Sequence, residues 1–557
     1  MGLDRFTAFV PTATNRTYWI LVIGLLICTA SFGQNRKYLV LLRDKANSPY
    51  SISQPEKFLS QRSILRRQKQ NIAVLERDLP VNPSYLTQLQ QAGAKIWFQS
   101  RWLNAVLVET TDATLATIQK LSFVKGVEFG RSLANTRAGV SERSTSTNIT
   151  NAASKFGEVT PLNYGLSQTQ ISQLGVDKMH QQGYHGEGIL IGVLDAGFLN
   201  ANKVSFLKPL FDENRVLATY DFVKKETSVY EDDSHGLSCL SAIAATADNQ
   251  LYGTAYKASF VLLRTEDAAT ERQIEEANWL FGAEYADSVG VDVISSSLGY
   301  SEFDDPTTSY TYANMDGKTA LSTRAAQIAT ETGMVVVAAA GNEGSDAWHY
   351  LSAPSDAASV LAIGAVTQTR QRALFSSFGP SADKRIKPDL AALGQGTVVG
   401  SPGGQIVQGN GTSFATPLVA GLVAGFWQAN PRLTATQVTE ALRRSGSQYN
   451  TPDDQLGYGI PNFELASTLA KSFTQLLIYP SPFSDEEPLR VQWGEIEANV
   501  PLDATLTSVA GKIVWQGRYL SSGMTSFMLP GPGLSAGVYI LTLISGDKKR
   551  TTKVLKL

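Results

Sequence analysis

The stretch ILIGVLDAG at positions 189–197 decides the fold. Its apolar residues run almost without interruption to Asp195, which is the pattern of a strand buried on both faces of a sheet. Strands of this kind are predicted at Ile189–Leu194, Ser259–Arg264, Val291–Ser295, Met334–Ala339 and Val360–Ala365. Helices are predicted between and after them at Gly236–Ala245, Glu271–Val289, Leu321–Thr332, Ser413–Ala429 and Thr434–Ser445. The alternation predicts an α/β domain, a parallel sheet with helices on both faces.

A serine lies at the start of the most apolar of these helices, in the segment NGTSFATP at positions 410–417. Ser413 follows a Gly-Thr turn, and Pro417 comes close to the first turn of the helix, where a missing N–H is tolerated. The N-terminus of a helix favours the negative charge that forms during acyl transfer. Serine is also a common helix N-cap, so this segment alone leaves both roles open.

A carboxylate and an imidazole are predicted at the ends of other elements. Asp195 ends the first strand, at the edge of a parallel sheet where catalytic sites gather, although an aspartate there can also cap a turn. His235 lies in DDSHGLSC, positions 232–239, after an acidic turn and at the start of a helix. A lone histidine is usually structural, so His235 needs its partners to be catalytic. The remaining histidines, which we interpret as structural or solvated, are His180, His185 and His349.

Asn342 follows another buried strand, in AAAGNEG at positions 338–344. Its amide can donate a hydrogen bond to an oxyanion, and a turn role is the alternative. Peptide hydrolysis by serine requires a hydroxyl nucleophile, an imidazole base, a carboxylate that orients the base, and oxyanion donors. The sequence therefore offers a candidate for each of these roles.

Four segments in this order resemble the signature segments of the subtilisin-like (subtilase, peptidase S8) family: LDAG at 194–197, SHG at 234–236, AGN at 340–342 and GTSFATP at 411–417. The chain order Asp, His, Ser is also that of subtilisin. The similarity covers about 165–470, including GYGIP at 457–461, which resembles the family's closing segment. The resemblance implies a subtilisin-like fold and a serine endopeptidase.

The resemblance also implies roles for individual residues. The catalytic residues would be Asp195, His235 and Ser413, with Asn342 at the oxyanion. The substrate-binding residues would be Ser297, Leu298, Gly299, Ala339, Ala340 and Gly341. No cofactor is required for this chemistry. Calcium is frequent in the family, but no compact Asp/Asn loop with a convincing ligand spacing is present, so calcium binding is left open.

Two residues depart from the family pattern. Ala196 stands where the family usually has Thr or Ser, so a hydrogen bond that supports Asp195 is expected to be missing. Cys239 lies one helical turn after His235, where we expect a small buried side chain. The alternative is a reactive thiol that makes the enzyme sensitive to mercurials.

The segments before the α/β domain indicate export and a precursor. Residues 1–33 have basic residues, a short apolar run and small residues before Gln34, as in a signal peptide. Residues 34–133 form a predicted α+β domain that resembles the inhibitory propeptides of subtilases; an accessory binding domain is the alternative. Residues 134–164 are predicted to be an exposed linker in which the chain is cleaved, and 165–471 the peptidase domain.

Residues 472–557 show apolar alternation between Gly and Ser turns, which predicts a small β-sandwich. The segment resembles the C-terminal sorting domain of the type IX secretion system in Bacteroidetes. The resemblance implies the secretion machinery as a partner and a secreted or outer-membrane-surface location, with no membrane span in the mature protein. A plain accessory β-sandwich is the alternative.

The charge and the cysteine content argue against some classes of function. The 557 residues carry a net charge of -2, which gives no field that would attract nucleic acid. The expected partners are protein or peptide substrates and the chain's own propeptide. Of the two cysteines, Cys28 lies in the predicted signal peptide, so no disulfide forms within the mature chain. Two rival functions are a catalytically silent surface binding protein and a glycosidase that uses the pair Asp232 and Asp233.

Overall fold

The computed structural model describes residues 34–135, 162–474, 476–493, 500–520, 526–528 and 533–557. The predicted signal peptide and most of the predicted linker lie outside these ranges. None of the helices within them has the length together with the apolar composition that a bilayer crossing requires.

The N-terminal unit is an antiparallel sheet with three helices, as the α+β pattern predicted. Its strands are β1 (Arg36–Leu42), β2 (Lys95–Ser100), β3 (Ala105–Thr110), β4 (Val124–Val127) and β5 (Ala134–Asn135). Its helices are α1 (Gln61–Lys69), α2 (Pro83–Gln91) and α3 (Asp112–Ile118). The strand order is β2-β3-β1-β4, and β5 pairs with the start of β1. The last described residues of this unit therefore leave from the edge of its sheet.

A parallel sheet of seven strands forms the centre of the second unit, which confirms the predicted α/β fold. Its strands are β6 (Leu190–Asp195), β7 (Val216–Asp221), β10 (Ser259–Arg264), β11 (Val293–Ser296), β12 (Val335–Ala339), β13 (Leu361–Val366) and β14 (Leu390–Leu393). The short strands β8 (Thr246–Ala247) and β9 (Leu251–Tyr252) form one hairpin, and β15 (Gln395–Gly400) with β16 (Ile406–Asn410) forms another. The order β14-β13-β12-β11-β6-β10-β7 puts β6 and its Asp195 near the middle.

Helices cover both faces of this sheet. They are α4 (Gln168–Gln173), α5 (Val176–Gln181), α6 (Lys208–Asp212), α7 (His235–Ala244), α8 (Gln273–Val289), α9 (Leu321–Glu331), α10 (Thr412–Ala429), α11 (Ala435–Arg444) and α12 (Phe463–Thr474). The 3₁₀ turns are Pro55–Lys57, Glu76–Asp78, Glu128–Gly130, Gly165–Ser167, Ser205–Leu207, Pro306–Thr308 and Tyr312–Asn314. One core contains α7 and α10, and the other contains α8 and α9.

The N-terminal unit packs against the face that carries α8. Leu39, Trp102 and Leu107 belong to the same hydrophobic core as residues of α8. Phe98 of β2 lies 5.2 Å from Phe281 of α8, measured between ring centroids. The two units therefore share a core, so removing the first would expose apolar surface of the second.

The C-terminal residues form two small antiparallel sheets. The first contains β17 (Leu476–Tyr479), β18 (Arg490–Trp493) and β21 (Ser526–Met528). The second contains β19 (Pro501–Ser508), β20 (Ile513–Leu520), β22 (Gly537–Ser545) and β23 (Lys548–Lys556). Apolar residues of both sheets meet in one cluster, in which Trp493 and Leu541 are fully buried. The β-sandwich assignment and the sorting role stay predictions.

Candidate active site

Asp195 is the last residue of β6 and is fully buried. Its Oδ1 accepts a hydrogen bond of 2.9 Å from the backbone N–H of Ala196. Its Oδ2 is buried and has no hydrogen-bond partner among the described residues. This unpartnered oxygen lies next to Ala196, the position where the sequence lacks a hydroxyl side chain.

His235 is the first residue of α7, and its Nδ1 lies 2.7 Å from Oδ1 of Asp195. The close approach depends on Gly236, where a Cβ would lie only 2.8 Å from Cβ of Asp195 and 2.4 Å from the carbonyl oxygen of Gly197. The backbone N–H of His235 donates to Oδ1 of Asp233 at 2.6 Å, which fixes the start of the helix. A third of the imidazole side chain is exposed (33%), so its other nitrogen can reach the cleft.

The environment of His235 favours the protonated ring. Burial opposes the charge, but the carboxylate of Asp195 and its hydrogen bond to the ring outweigh burial and raise the pKa of His235 well above 6.5. A buried aspartate in contact with Nδ1 also leaves Nε2 as the nitrogen that can accept a proton. The pair is therefore built to stabilise an imidazolium.

Ser413 is the second residue of α10 and is almost completely buried. Gly411 precedes the helix with φ of +156°, and a Cβ there would lie 2.6 Å from Oγ of Ser413. Pro417 lies inside the helix rather than in its first turn, so it cannot donate to the carbonyl of Ser413. That carbonyl instead accepts hydrogen bonds from Oγ of Ser297 at 2.8 Å and from Sγ of Cys239 at 3.4 Å.

Cys239 joins the elements that carry His235 and Ser413. Its sulfur lies 3.8 Å from Nδ1 of His235, and it is fully buried as the sequence predicted. Burial raises the pKa of the Cys239 thiol, so the side chain remains a neutral thiol. The ring of Phe414 lies 5.7 Å from the His235 ring, which also places the start of α10 beside the imidazole.

Asn342 lies three residues beyond the end of β12 and contacts the same helix start. Its Oδ1 accepts hydrogen bonds from the N–H of Thr412 at 2.8 Å and from Oγ1 of Thr412 at 3.1 Å. These donors fix the amide so that Nδ2 points away from Thr412, and within the described chain Nδ2 has no acceptor. Thr412 thus orients the predicted oxyanion donor, a role that the sequence did not indicate.

The predicted substrate-binding residues lie directly after β11 and at the end of β12. Ser297 and Leu298 are buried and Gly299 is exposed. Ala339, Ala340 and Gly341 are buried; the N–H of Gly341 donates to Oγ1 of Thr412 at 3.3 Å. Both segments therefore meet at the start of α10. The hydroxyl of Ser297 donates to the carbonyl of Ser413, and substrate binding by these six residues stays a prediction.

The acidic pair and the other histidines make structural contacts. Asp232 forms ion pairs with Lys224 at 2.6 Å and Arg264 at 3.2 Å, and Asp233 accepts the N–H of His235, so neither is positioned like a free catalytic carboxylate. His180 is buried between Tyr164 and the carbonyl of Thr254, and burial lowers its pKa to about 4. The others lie beside an acid or a loop carbonyl: His185 contacts Glu187 and His349 contacts Ala347.

A buried ion cluster joins the N-terminal unit to α8. Asp287 of α8 is fully buried and accepts hydrogen bonds from Arg66, from Arg67 at 2.7 and 2.9 Å, and from Arg101 at 2.5 Å. Burial alone would raise the pKa of Asp287, but the charges of Arg101, Arg66 and Arg67 hold it far below its ordinary value. Nearby, Glu284 accepts from the N–H of Arg101 at 2.9 Å. Sequence patterns did not single out these residues.

A second acidic group lies beside the catalytic strands and was also missed. Carboxylate oxygens of Glu266, Glu271 and Glu275 lie within 4.8 Å of one another. Charged side chains in this stretch look solvated in the sequence, and only the fold shows that they converge. A third group, Asp221 with Glu226 and Asp232, already contains the guanidinium of Arg264 at 2.9 Å from Asp221.

Comparisons of the chain with known proteins find subtilases and a subtilase propeptide domain. The model of the "Subtilase family" (Peptidase_S8) matches residues 186–459, and the "Peptidase S8 propeptide domain, Bacteroidota" matches 37–147. Subtilisin NAT of Bacillus subtilis subsp. natto is 34% identical over 53% of this chain and 70% of its own length. Subtilisin of Bacillus pumilus is 33% identical over 53% of this chain and 97% of its own. The solved structure of MycP1 from the ESX-1 type VII secretion system superposes with a TM-score of 0.45 and 21% identity, covering 58% of this chain and 89% of that one.

Proposed function

Because this chain belongs to the subtilase family of serine proteases, we propose that it is a secreted serine endopeptidase, made as a zymogen, that cleaves peptide bonds through an acyl-enzyme at Ser413. The observation that carries the proposal is the 2.7 Å hydrogen bond between Asp195 and His235, beside the helix start that holds Ser413. A carboxylate, an imidazole and a serine at a helix N-terminus supply the groups that acyl transfer needs.

The reaction follows from these positions. Nε2 of His235 takes the hydroxyl proton of Ser413 as Oγ attacks the scissile carbonyl carbon. His235 then gives that proton to the leaving amine, the C–N bond breaks and an ester remains on Ser413. Water, deprotonated by the same imidazole, attacks the ester; Ser413 regains its proton and the acid product leaves. Asp195 keeps Nδ1 protonated and stabilises the imidazolium in both steps.

Two donors would stabilise the oxyanion. Asn342 presents Nδ2 because Thr412 occupies its Oδ1. The N–H of Ser413 lies in the first turn of α10, where helix N–H groups have no intrahelical acceptor. Loss of one such donor costs about 10²- to 10³-fold in kcat, a magnitude measured in a subtilisin. Gly299 offers exposed backbone for an extended substrate, and Leu298 and the Ala339–Gly341 segment would form the walls.

The N-terminal unit would keep the peptidase inactive until it is cleaved. The support is its shared core with α8 and the buried arginines around Asp287. We propose that residues 34–133 assist folding, cover the cleft and are released by cleavage within 134–164. A full-length chain that is stable, active and never processed would contradict this role.

Export is proposed from the two ends of the chain. Residues 1–33 would direct the precursor across the inner membrane, and residues 472–557 would direct it through the type IX machinery to the cell surface or the medium. Deletion of 472–557 should then leave the protein in the periplasm. Normal export of the shortened chain would favour a plain accessory domain.

A fluorophosphonate probe with casein as substrate tests the activity. The wild type should be labelled and should degrade casein, whereas Ser413→Ala should do neither. The matched control is Ser359→Ala, which removes an exposed hydroxyl from the same domain and should behave as the wild type. A folded wild type that is not labelled would favour the rival function, a silent surface binding protein.

A further inference from the structure

The three glutamates Glu266, Glu271 and Glu275 form an acidic group that the proposed reaction does not use. Glu275 is 1% exposed and accepts the N–H of Arg272 at 2.8 Å. Glu266 and Glu271 each have a buried carboxylate oxygen with no hydrogen-bond partner. Among the ion pairs of the described ranges, none includes any of the three. The group thus has open acceptors but no paired cation. Burial and the repulsion between the carboxylates raise the pKa of all three glutamates, that of Glu271 to about 9, so a bound cation would be needed to keep them ionised.

A tyrosine completes this group. Tyr300 is 0% exposed, and its hydroxyl has no hydrogen-bond partner in the described chain. The charges that act on this phenol are those of Glu266, Glu275 and Glu271, together with Glu276. A buried hydroxyl without a partner is costly, so a site that retains one is expected to bind something.

The acidic group adjoins the catalytic residues. Thr265, the residue before Glu266, donates its N–H to the carbonyl of Asp195 at 3.0 Å. On the other side, Tyr300 lies three residues after Ser297, whose hydroxyl holds Ser413. Burial raises the pKa of Glu266 to about 7, and the charges of Asp195 and His235 also act on it. A ligand in this group would therefore lie beside the reacting bond.

One member of this acidic group lines a cavity beside the N-terminal unit. Of the four residues, Glu271 lines a cavity of about 430 Å³ that Ser132, Leu133 and Ala134, near the end of the N-terminal unit, also line. Asp304 and Asp305 line the same cavity, in which Arg272 pairs with Asp304 at 3.6 Å and leaves Asp305 outside that pair. The end of the N-terminal unit thus reaches the same cavity as Glu271, which favours a side chain of a peptide as the ligand over a free metal ion.

We propose that Glu266, Glu271, Glu275 and Tyr300 form a subsite that selects a basic side chain, lysine or arginine, near the bond to be cleaved. An ammonium or guanidinium group donates several N–H bonds to carboxylates and neutralises their mutual repulsion. Calcium would need about six to eight oxygen ligands, more than these side chains provide without additional groups. The inference names the substrate class and rests on the proposed peptidase function.

The test compares matched peptides with the purified, processed enzyme. Each pair is identical except for arginine against citrulline, its neutral isostere, at one of the four positions before the cleaved bond. The wild type should prefer arginine at one position by about 10- to 100-fold in kcat/KM, since a charged hydrogen bond contributes that range. The ratio of kcat/KM for the arginine peptide to kcat/KM for the citrulline peptide cancels any effect on the acyl-transfer steps, because both peptides share those steps.

Variants assign the preference to these residues. Glu266→Gln and Glu271→Gln keep the side-chain volume and should each lower the ratio by about 10-fold. Tyr300→Phe should lower it less, because it removes one neutral hydroxyl. The control is Glu302→Gln, an exposed carboxylate in the segment after Tyr300, which should keep the wild-type ratio.

The outcomes separate the two proposals. An enzyme that is labelled by a fluorophosphonate and cleaves peptides, yet shows a ratio near one at every position, overturns the subsite alone. Calcium that raises the melting temperature of the wild type but not of Glu266→Gln, with no arginine preference, overturns it in favour of a metal site. A wild type that is neither labelled nor active overturns the peptidase function and the subsite together.

Discussion

The hydroxyl of Ser297 donates a 2.8 Å hydrogen bond to the carbonyl oxygen of Ser413. This contact exists because Pro417 has no N–H to give to that carbonyl within the helix. The proline therefore leaves the carbonyl of Ser413 without a donor from the helix. Ser297, directly after β11, donates to this carbonyl and holds the start of α10 in place. The position of the nucleophile depends on a residue that does not take part in the reaction.

Ser297→Ala should weaken catalysis while leaving the fold intact. The variant removes one buried hydrogen bond of about 1 kcal/mol, and the thiol of Cys239 still contacts the same carbonyl. We expect kcat/KM to fall by about 5- to 10-fold. The measurement is the rate of fluorophosphonate labelling alongside peptide cleavage, and an unchanged labelling rate would reject the positioning role.

Ala196→Ser should stabilise the protein. Oδ2 of Asp195 is buried without a donor, and a serine hydroxyl at the next residue can supply one. We expect the free energy of unfolding to rise by about 1 kcal/mol. Urea denaturation in the Ser413→Ala background avoids self-digestion, and a decrease in stability would show that the hydroxyl does not reach Asp195.

Activity should require a pH above the ordinary pKa of a histidine side chain. The environment raises the pKa of His235 above 6.5, so the ring stays protonated to a higher pH and cannot act as a base there. As pH rises through that raised pKa, kcat/KM should increase and then level off. A pH profile whose acid limb lies at or below 6.5 would contradict the predicted environment.

Asp287→Asn should weaken the hold of the N-terminal unit on the peptidase. Breaking one side of a buried ion cluster costs about 3 to 5 kcal/mol, because the remaining charges lose their partner. We expect a lower yield of processed enzyme and faster loss of the cleaved N-terminal unit on size-exclusion chromatography. Asp292→Asn, which affects the more exposed ion pair with Arg62, is the matched control and should have a smaller effect.

Mercury should inhibit the enzyme through Cys239. This thiol contacts both the ring of His235 and the carbonyl of Ser413, and the second cysteine, Cys28, lies in the predicted signal peptide. Because the sulfur is fully buried, inhibition should develop slowly. The Cys239→Ala variant should keep its activity in HgCl₂; inhibition that persists in this variant would place the mercury elsewhere.

Much of the peptidase fold could be predicted from apolar runs. The predicted strand at Ser259–Arg264 has the observed bounds, and the predicted helix Leu321–Thr332 is observed as Leu321–Glu331. Strand Val216–Asp221 was missed because it lies at the sheet edge, is only partly buried and lacks a continuous apolar run. Leu390–Leu393 is too short to give a periodic signal.

The site could be predicted only where residues form segments with a chemical pattern. Asp195 and His235 were predicted as partners, and the structure brings them together. Thr412, which orients Asn342, carries no such signal because its role depends on a contact across the fold. Glu266, Glu271 and Asp287 look like solvated charges in the sequence, because their burial depends on residues that are distant in the chain.

The arginines around Asp287 belong to a part of the chain that processing would remove. Once they leave, α8 would present Asp287 and Glu284 to water together with apolar side chains such as Phe281. Maturation would then change the protein surface as well as the cleft, because a buried interface would become an exposed surface that is both acidic and apolar. The surfaces that the released enzyme binds or repels would therefore differ from those of its precursor.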